Sequence, residues 1–152
     1  MNDQSVAELV PILQTAIGPT ILISGVGLLL LTMVNRLNHI MDRTRILAAQ
    51  MADCPPEARE GKATQLTILW QRATLIRRAI IFASSSALSA ALLIVTLFLS
   101  ALSGIEDAWL IGGLFVVAMA SLILALLFFI RDIDQSLVAL KVEIQGNGGK
   151  PD

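Results

Sequence analysis

The sequence predicts an all-α integral membrane protein with three transmembrane helices. Apolar residues make up 55% of the 152 residues and charged residues only 15%, against roughly 25% charged in soluble domains. Uncharged runs cover residues 9–35, 79–105 and 108–130. Each run is longer than the roughly 20 residues that a helix needs to cross the hydrocarbon core. Heptad patterns continue from these runs into the charged segments, which predicts helical extensions that form a cytoplasmic bundle.

The predicted organisation is a single membrane domain over residues 1–145. Its spans are expected at about 16–35, 79–103 and 108–130, with Pro19 in the first turn of the first span. A cytoplasmic helical hairpin is expected at about 36–78 and a cytoplasmic C-terminal helix at about 131–145. Residues 146–152, "GNGGKPD", are expected to form a disordered tail.

The distribution of basic residues predicts the orientation. All eleven Lys and Arg residues lie either between the first and second runs or after the third. The N-terminal segment has none, and the short link "SGIED" carries only acidic charges. By the positive-inside rule, the long loop and the C-terminus are cytoplasmic and the N-terminus is outside.

Apolar residues spaced alternately three and four apart predict the faces on which the helices pack. The hairpin break is expected at "ADCPPEAREG", because paired prolines stop a helix. The small residues of the first span are expected to be packing surface as well, since small side chains let helices approach closely in lipid. The predicted seams are Leu30, Met33, Leu37, Ile40, Thr44, Leu47 and Met51; Leu66, Leu69, Ala73, Ile76 and Ile80; and Leu126, Ile130, Ile133, Leu137, Leu140 and Ile144. The small residues are Gly18, Thr20, Ser24, Gly25 and Gly27.

A polar face opposite the first cytoplasmic seam is the first candidate site. It consists of Asn35, Asn38, His39, Asp42 and Arg45. One interpretation is a solvated face with an Asp42–Arg45 ion pair, and another is a contact surface, for example between identical subunits. A metal site at His39 and Asp42 lacks an evident third ligand.

Three arginines near the start of the second span form the second candidate site: Arg72, Arg77 and Arg78. They are expected either to bind anionic lipid phosphates or to act as topogenic anchors. Trp70, which precedes them, is expected to be buried in the hairpin. Nucleic-acid binding is disfavoured because acidic residues are interleaved with the basic residues of this loop.

Hydroxyl side chains form a stripe along the second span and are the third candidate site: Ser85, Ser89, Thr96 and Ser100. Such a stripe serves helix packing or lines a water-filled path. Because no ionisable residue lies deep in any predicted span, a proton relay is disfavoured. The sequence offers no catalytic constellation, so we expect a protein that is not an enzyme and that has no cofactor.

The order of these segments resembles a known family. An uncharged span is followed by "RLNHIMDRTRIL", then by "RATLIRRAI" entering a second span, and finally by a third span ending in "FFIRDI". This pattern is similar to that of the bacterial membrane proteins of domain-of-unknown-function family 2721, over about residues 10–141. The most specific positions are Ile40, Asp42, Arg43 and Arg45, together with Arg77, Ala79 and Ile80. The resemblance implies a bacterial three-span membrane protein and implies no activity. With the predicted topology, we expect the protein in the bacterial inner membrane.

Two functions follow as hypotheses. The first is a non-catalytic oligomeric scaffold or accessory subunit of a membrane complex, which acts through its cytoplasmic helical bundle. The second is a homo-oligomeric ion channel with a hydroxyl-lined pore and a basic cytoplasmic vestibule. The expected partners are membrane lipid and either further copies of the chain or the other subunits of a complex.

Overall fold

The chain consists of three long α-helices in the computed structural model, which describes residues 3–52, 55–104 and 108–147. Helix α1 spans Asp3–Ala52, α2 spans Pro56–Ser103 and α3 spans Ala108–Asn147. Each helix is long and apolar enough to cross a membrane, and the described residues contain no strand. The predicted fold class is confirmed: this is an all-α, multi-pass membrane protein.

Both helix breaks lie where local chemistry requires them. Helix α1 ends at Ala52 and α2 begins at Pro56, a position at which the missing proline N–H costs nothing because the first turn has no intrahelical acceptor for it. Helix α2 ends before Gly104, whose φ is 66° and whose N–H donates to the Ser100 carbonyl at 3.0 Å. This left-handed cap suits glycine, which has no Cβ to clash.

Two predicted boundaries differ from the observed helices. Pro19 lies inside α1, which is continuous from Asp3, and not in the first turn of a span. A proline inside a helix removes one backbone hydrogen bond, and transmembrane helices tolerate this loss through local adjustment and hydroxyl side chains. At the other end of the chain, α3 continues to Asn147, and residues 148–152 of the predicted tail lie outside the described part.

The chain divides into two compact units. The apolar unit comprises Met1–Thr32 and Ile81–Leu124, and the polar unit comprises Met33–Ile80 and Ala125–Asp152. Each helix contributes one segment to each unit, so each unit contains three helical segments with buried seam residues.

The apolar unit has a core of mainly small side chains. The Ser86 hydroxyl is buried and donates to the Ala118 carbonyl of α3 at 2.8 Å. The small residues of α1 were predicted to be packing surface. Within one chain, Gly18, Gly25 and Gly27 have open space where a Cβ would stand. The buried residues of this unit are Ala16, Val26, Ala83, Ser86, Ser89, Ala90, Leu93, Ala118 and Ser121.

The polar unit packs on the predicted seams of α1 and α2. Met33, Ile40 and Ile76 are buried, and the other seam residues of these two segments are half-buried. The predicted seam of α3 is wrong at Ile130, which is 53% exposed. The side chains of Leu137, Leu140 and Ile144 lie outside the described residues.

The buried face of α3 is shifted from the predicted one. Ala118 and Ser121 are buried in the apolar unit, and Ala125 and Asp132 are buried in the polar unit. The buried positions have the same alternating spacing of three and four residues as the predicted seam, but Ala125 and Asp132 each lie one residue before a predicted seam residue. The shift places a carboxylate on the face where leucine and isoleucine were expected.

Candidate functional site

A buried carboxylate is the central feature of the polar unit. Asp132 is 0% exposed because it occupies a seam position of α3, seven residues after the buried Ala125. A buried charge is expensive unless charged or polar partners compensate it. Its partners therefore determine what this part of the molecule can do.

Two arginines from the other two helices compensate Asp132. The Arg36 Nη2 atom of α1 lies 3.5 Å from Oδ2, and the Arg72 Nε atom of α2 lies 3.7 Å from Oδ1. Each carboxylate oxygen therefore faces a different guanidinium. The Arg36 and Arg72 side chains retain 31% and 20% exposure. The three residues, called here the charge cluster, link all three helices of the polar unit.

An aromatic contact holds one guanidinium further. The Arg36 Cζ atom lies 5.4 Å from the centroid of the Phe129 ring, within the range of a cation–π interaction. Phe129 precedes Asp132 by three residues on α3, so both side chains lie on one side of that helix. Helix α3 thus holds Arg36 by both a carboxylate and an aromatic ring.

A cavity of about 240 Å³ adjoins the charge cluster. It is lined by Arg36, His39, Ile40, Arg43, Leu69 and Arg72. Three guanidinium groups and one imidazole thus line the cavity, and no carboxylate does. Asp132 compensates Arg36 and Arg72 but leaves the cluster and cavity with an excess of positive charge. The chemistry suited to such a lining is the binding of an anion.

The predicted polar face of α1 points away from the buried seam. All five of its residues are exposed: Asn35, Asn38, His39, Asp42 and Arg45. Asp42 and Arg45 form no ion pair in the described structure. The face also contains Ile46, which is 60% exposed and falls between the polar positions at about 100° per residue.

The three predicted arginines separate into two groups. Arg72 turns inward to Asp132, whereas Arg77 and Arg78 are exposed. The prediction that Trp70 is buried in the hairpin is wrong, because its side chain is 69% exposed. The inward face of α2 includes the half-buried Arg72 and the buried Ile76. Trp70 lies two residues before Arg72, on another side of the helix.

The residues of the predicted hydroxyl stripe on α2 differ in how deeply they are buried. Ser89 is buried at 7% exposure, and Ser85, Thr96 and Ser100 are half-buried. The Thr96 hydroxyl donates to the Leu92 carbonyl of its own helix at 2.8 Å. Ser86, which lies outside the predicted stripe, donates a hydrogen bond to another helix.

Sequence reasoning missed Asp132 and the inward position of Arg36. The available signal was the run of small residues at Ala118, Ser121 and Ala125, which continues with the same period to Asp132. Small residues mark contact faces between helices in lipid, so they set the register of α3 better than its leucines do. Among the described residues, no three His, Cys, Asp or Glu side chains gather as metal ligands.

Comparison with known proteins identifies the family of the chain. No curated protein and no solved structure matches the chain. A family described as "Protein of unknown function (DUF2721)" matches residues 16–142, a range that includes the whole charge cluster and the cavity beside it. The predicted resemblance is therefore confirmed, and the chain belongs to the DUF2721 family.

Proposed function

We propose that this chain is a non-catalytic oligomeric scaffold that acts through the outward face of α1 in its polar unit. In this proposal it resides in a bacterial inner membrane with the N-terminus outside and the polar unit in the cytoplasm. The occupant of the face is a second copy of the same chain. A foreign subunit of a membrane complex is the alternative occupant.

The observation that carries the proposal is the exposed Ile46 within a frame of polar side chains. An apolar centre with a polar rim is the usual anatomy of a protein interface. Ile46 lies eleven residues beyond the predicted end of the first span, so lipid tails do not explain its exposure. The seam of the same helix is already buried on the other side, which leaves this face for a partner.

The charges of the face favour a second copy as the partner. It carries one acidic and one basic residue, Asp42 and Arg45, and neither has an ion pair in the described structure. The two residues are one helical turn apart, about 5 Å along the axis. Copies that share one orientation in a membrane face each other at equal depth, so Arg45 of one copy can reach Asp42 of the next. Such a face is complementary to itself.

Charge exchange tests this proposal. Native mass spectrometry of the protein, extracted gently from its membrane, is expected to give one closed homo-oligomer. Asp42→Arg and Arg45→Asp, each alone, are expected to dissociate it because they place like charges opposite each other. The double exchange D42R/R45D is expected to restore the assembly, because both sides of the interface change together.

The exposed Asp134→Arg serves as a control for charge reversal elsewhere in the polar unit, and it should leave the assembly intact. A monomeric wild-type protein would refute the second-copy proposal. Stoichiometric co-purification of a foreign subunit, with no rescue by the double exchange, would assign the face to a different protein. An oligomer unchanged by either single exchange would show that the face is only solvated.

A further inference from the structure

We propose that the cavity beside the charge cluster is a binding site for a phosphate-bearing anion of headgroup size. The site comprises Arg36, Arg43 and Arg72 as cationic ligands, with His39 at its edge. His39 also belongs to the polar face around Ile46, whereas Arg36, Arg43 and Arg72 do not, and the proposed binding does not depend on self-association.

The first argument is the arrangement of the cations along α1. Arg36, His39 and Arg43 follow each other at intervals of three and four residues and all line the cavity. They therefore form one stripe about 10 Å long. Arg72 of α2 supplies a guanidinium from the opposite wall. Guanidinium groups bind phosphate oxygens in bidentate fashion, which makes arginine the preferred residue for such a ligand.

The second argument is the role of Asp132. Its two oxygens face Arg36 and Arg72 at 3.5 and 3.7 Å, and it does not itself line the cavity. One carboxylate therefore orients two guanidiniums while it compensates the charge of only one. Asp132 is a positioning residue, since it holds the cations of the site without obstructing it.

The third argument is that Arg43 contributes charge with no described carboxylate within ion-pair distance. Its side chain is exposed and lines the cavity with the two clustered arginines. No ion pair among the described residues therefore accounts for a cation at this position. A bound anion would account for this third guanidinium in the lining of the cavity.

Size and depth indicate the class of ligand. The cavity of about 240 Å³ is below the range of roughly 300–1,000 Å³ that is usual for drug-sized ligands. Arg36 directly follows the predicted first span, and Asp132 comes two residues after the predicted third span. The polar headgroup layer is about 5–7 Å thick on each side of a bilayer. The cavity therefore begins at headgroup depth, where basic pockets between helices bind anionic lipid headgroups.

The test is isothermal titration calorimetry on purified, delipidated protein in an uncharged detergent. The probes are dioctanoyl phosphatidic acid, glycerol 3-phosphate and dioctanoyl phosphatidylcholine. We expect saturable binding of a phosphate probe, and Arg43→Ala should weaken it about tenfold or more, as expected for the loss of a hydrogen bond to a charged group. Arg43→Gln provides a second variant with a similar loss expected.

Arg131→Ala is the matched control, because it removes an exposed positive charge of the polar unit outside the cavity. It should change the affinity by less than about twofold, in line with the weak effect of an exposed charge. Tighter binding of phosphatidic acid than of glycerol 3-phosphate would identify a lipid as the source. Equal binding of the two would identify a soluble phosphate compound.

Three outcomes would overturn the proposal. The first is the absence of saturable binding of either phosphate probe. The second is an equal loss in Arg43→Ala and Arg131→Ala, which would indicate a general surface charge effect. The third is equally tight binding of phosphatidylcholine, which would indicate recognition of acyl chains.

Discussion

Replacing both arginines that face Asp132, in the variant R36M/R72M, is expected to destabilise the protein more than replacing the carboxylate itself. The double variant leaves a carboxylate that is 0% exposed without either of its cationic partners. Asp132→Asn instead leaves two arginines that retain 31% and 20% exposure. These arginines remain partly hydrated, so their loss of a partner costs less.

The distances set the magnitude. At 3.5 and 3.7 Å, an effective dielectric constant of about 20 gives a gross attraction of about 4–5 kcal/mol for each pair. Most of this attraction is offset by the cost of removing the charges from water, which is several kcal/mol per ion. We therefore expect R36M/R72M to lower the free energy of unfolding by about 3–5 kcal/mol, as is usual when a buried pair loses one side. Asp132→Asn should lower it by about 1–3 kcal/mol.

A triple variant separates the cluster's charge from its packing. R36M/D132L/R72M replaces the cluster with apolar side chains of similar shape, because leucine has the same branching as aspartate. Buried ion networks replaced in this way are often neutral or stabilising. The triple variant should therefore recover most of the stability lost in R36M/R72M, although it contains one more substitution.

Unfolding by SDS in mixed micelles, with the folded fraction read by brief proteolysis, measures these differences. Proteolysis is preferable to circular dichroism because transmembrane helices persist after tertiary contacts are lost. The exposed Asp134→Asn and Arg131→Met serve as controls and should lie within about 0.5 kcal/mol of wild type. The reasoning fails if R36M/R72M is more stable than Asp132→Asn, or if the triple variant is no more stable than the double.

Three further predictions concern the apolar unit and its boundary. Ser86→Ala should lower the free energy of unfolding by about 0.5–1.5 kcal/mol, since it removes the hydrogen bond to the Ala118 carbonyl; the same SDS titration measures this, and no change would show that the bond contributes nothing. Ser89→Leu should destabilise the protein by about 1–3 kcal/mol through overpacking of a buried position. Conductance in planar bilayers that is present in wild type and abolished in a stably folded Ser89→Leu variant would instead favour the channel hypothesis. Gly104→Ala should cost about 1–2 kcal/mol because its φ of 66° strains any residue with a Cβ, whereas Gly104→Asn should cost less.

The sequence by itself determined the number of helices, their apolar character and the position of the hairpin. A long uncharged segment in lipid forms an α-helix, because every backbone N–H must find an acceptor within the segment. Paired prolines at Pro55 and Pro56 end a helix for local reasons, without help from other parts of the chain. The seams of α1 and α2 also followed from the sequence, since their apolar spacing contrasts with the charged residues around Met33, Ile40 and Ile76.

Only the tertiary structure decided the register of α3, the burial of Asp132 and the exposure of Trp70. In a soluble protein, an apolar side chain marks the inward face, but a membrane helix is apolar towards both lipid and protein. Leu126 and Ile130 were therefore no better evidence for a contact face than Ala125 was. Asp132 is compatible with burial only because Arg36 and Arg72 arrive from two other helices, and that meeting depends on how the three helices pack.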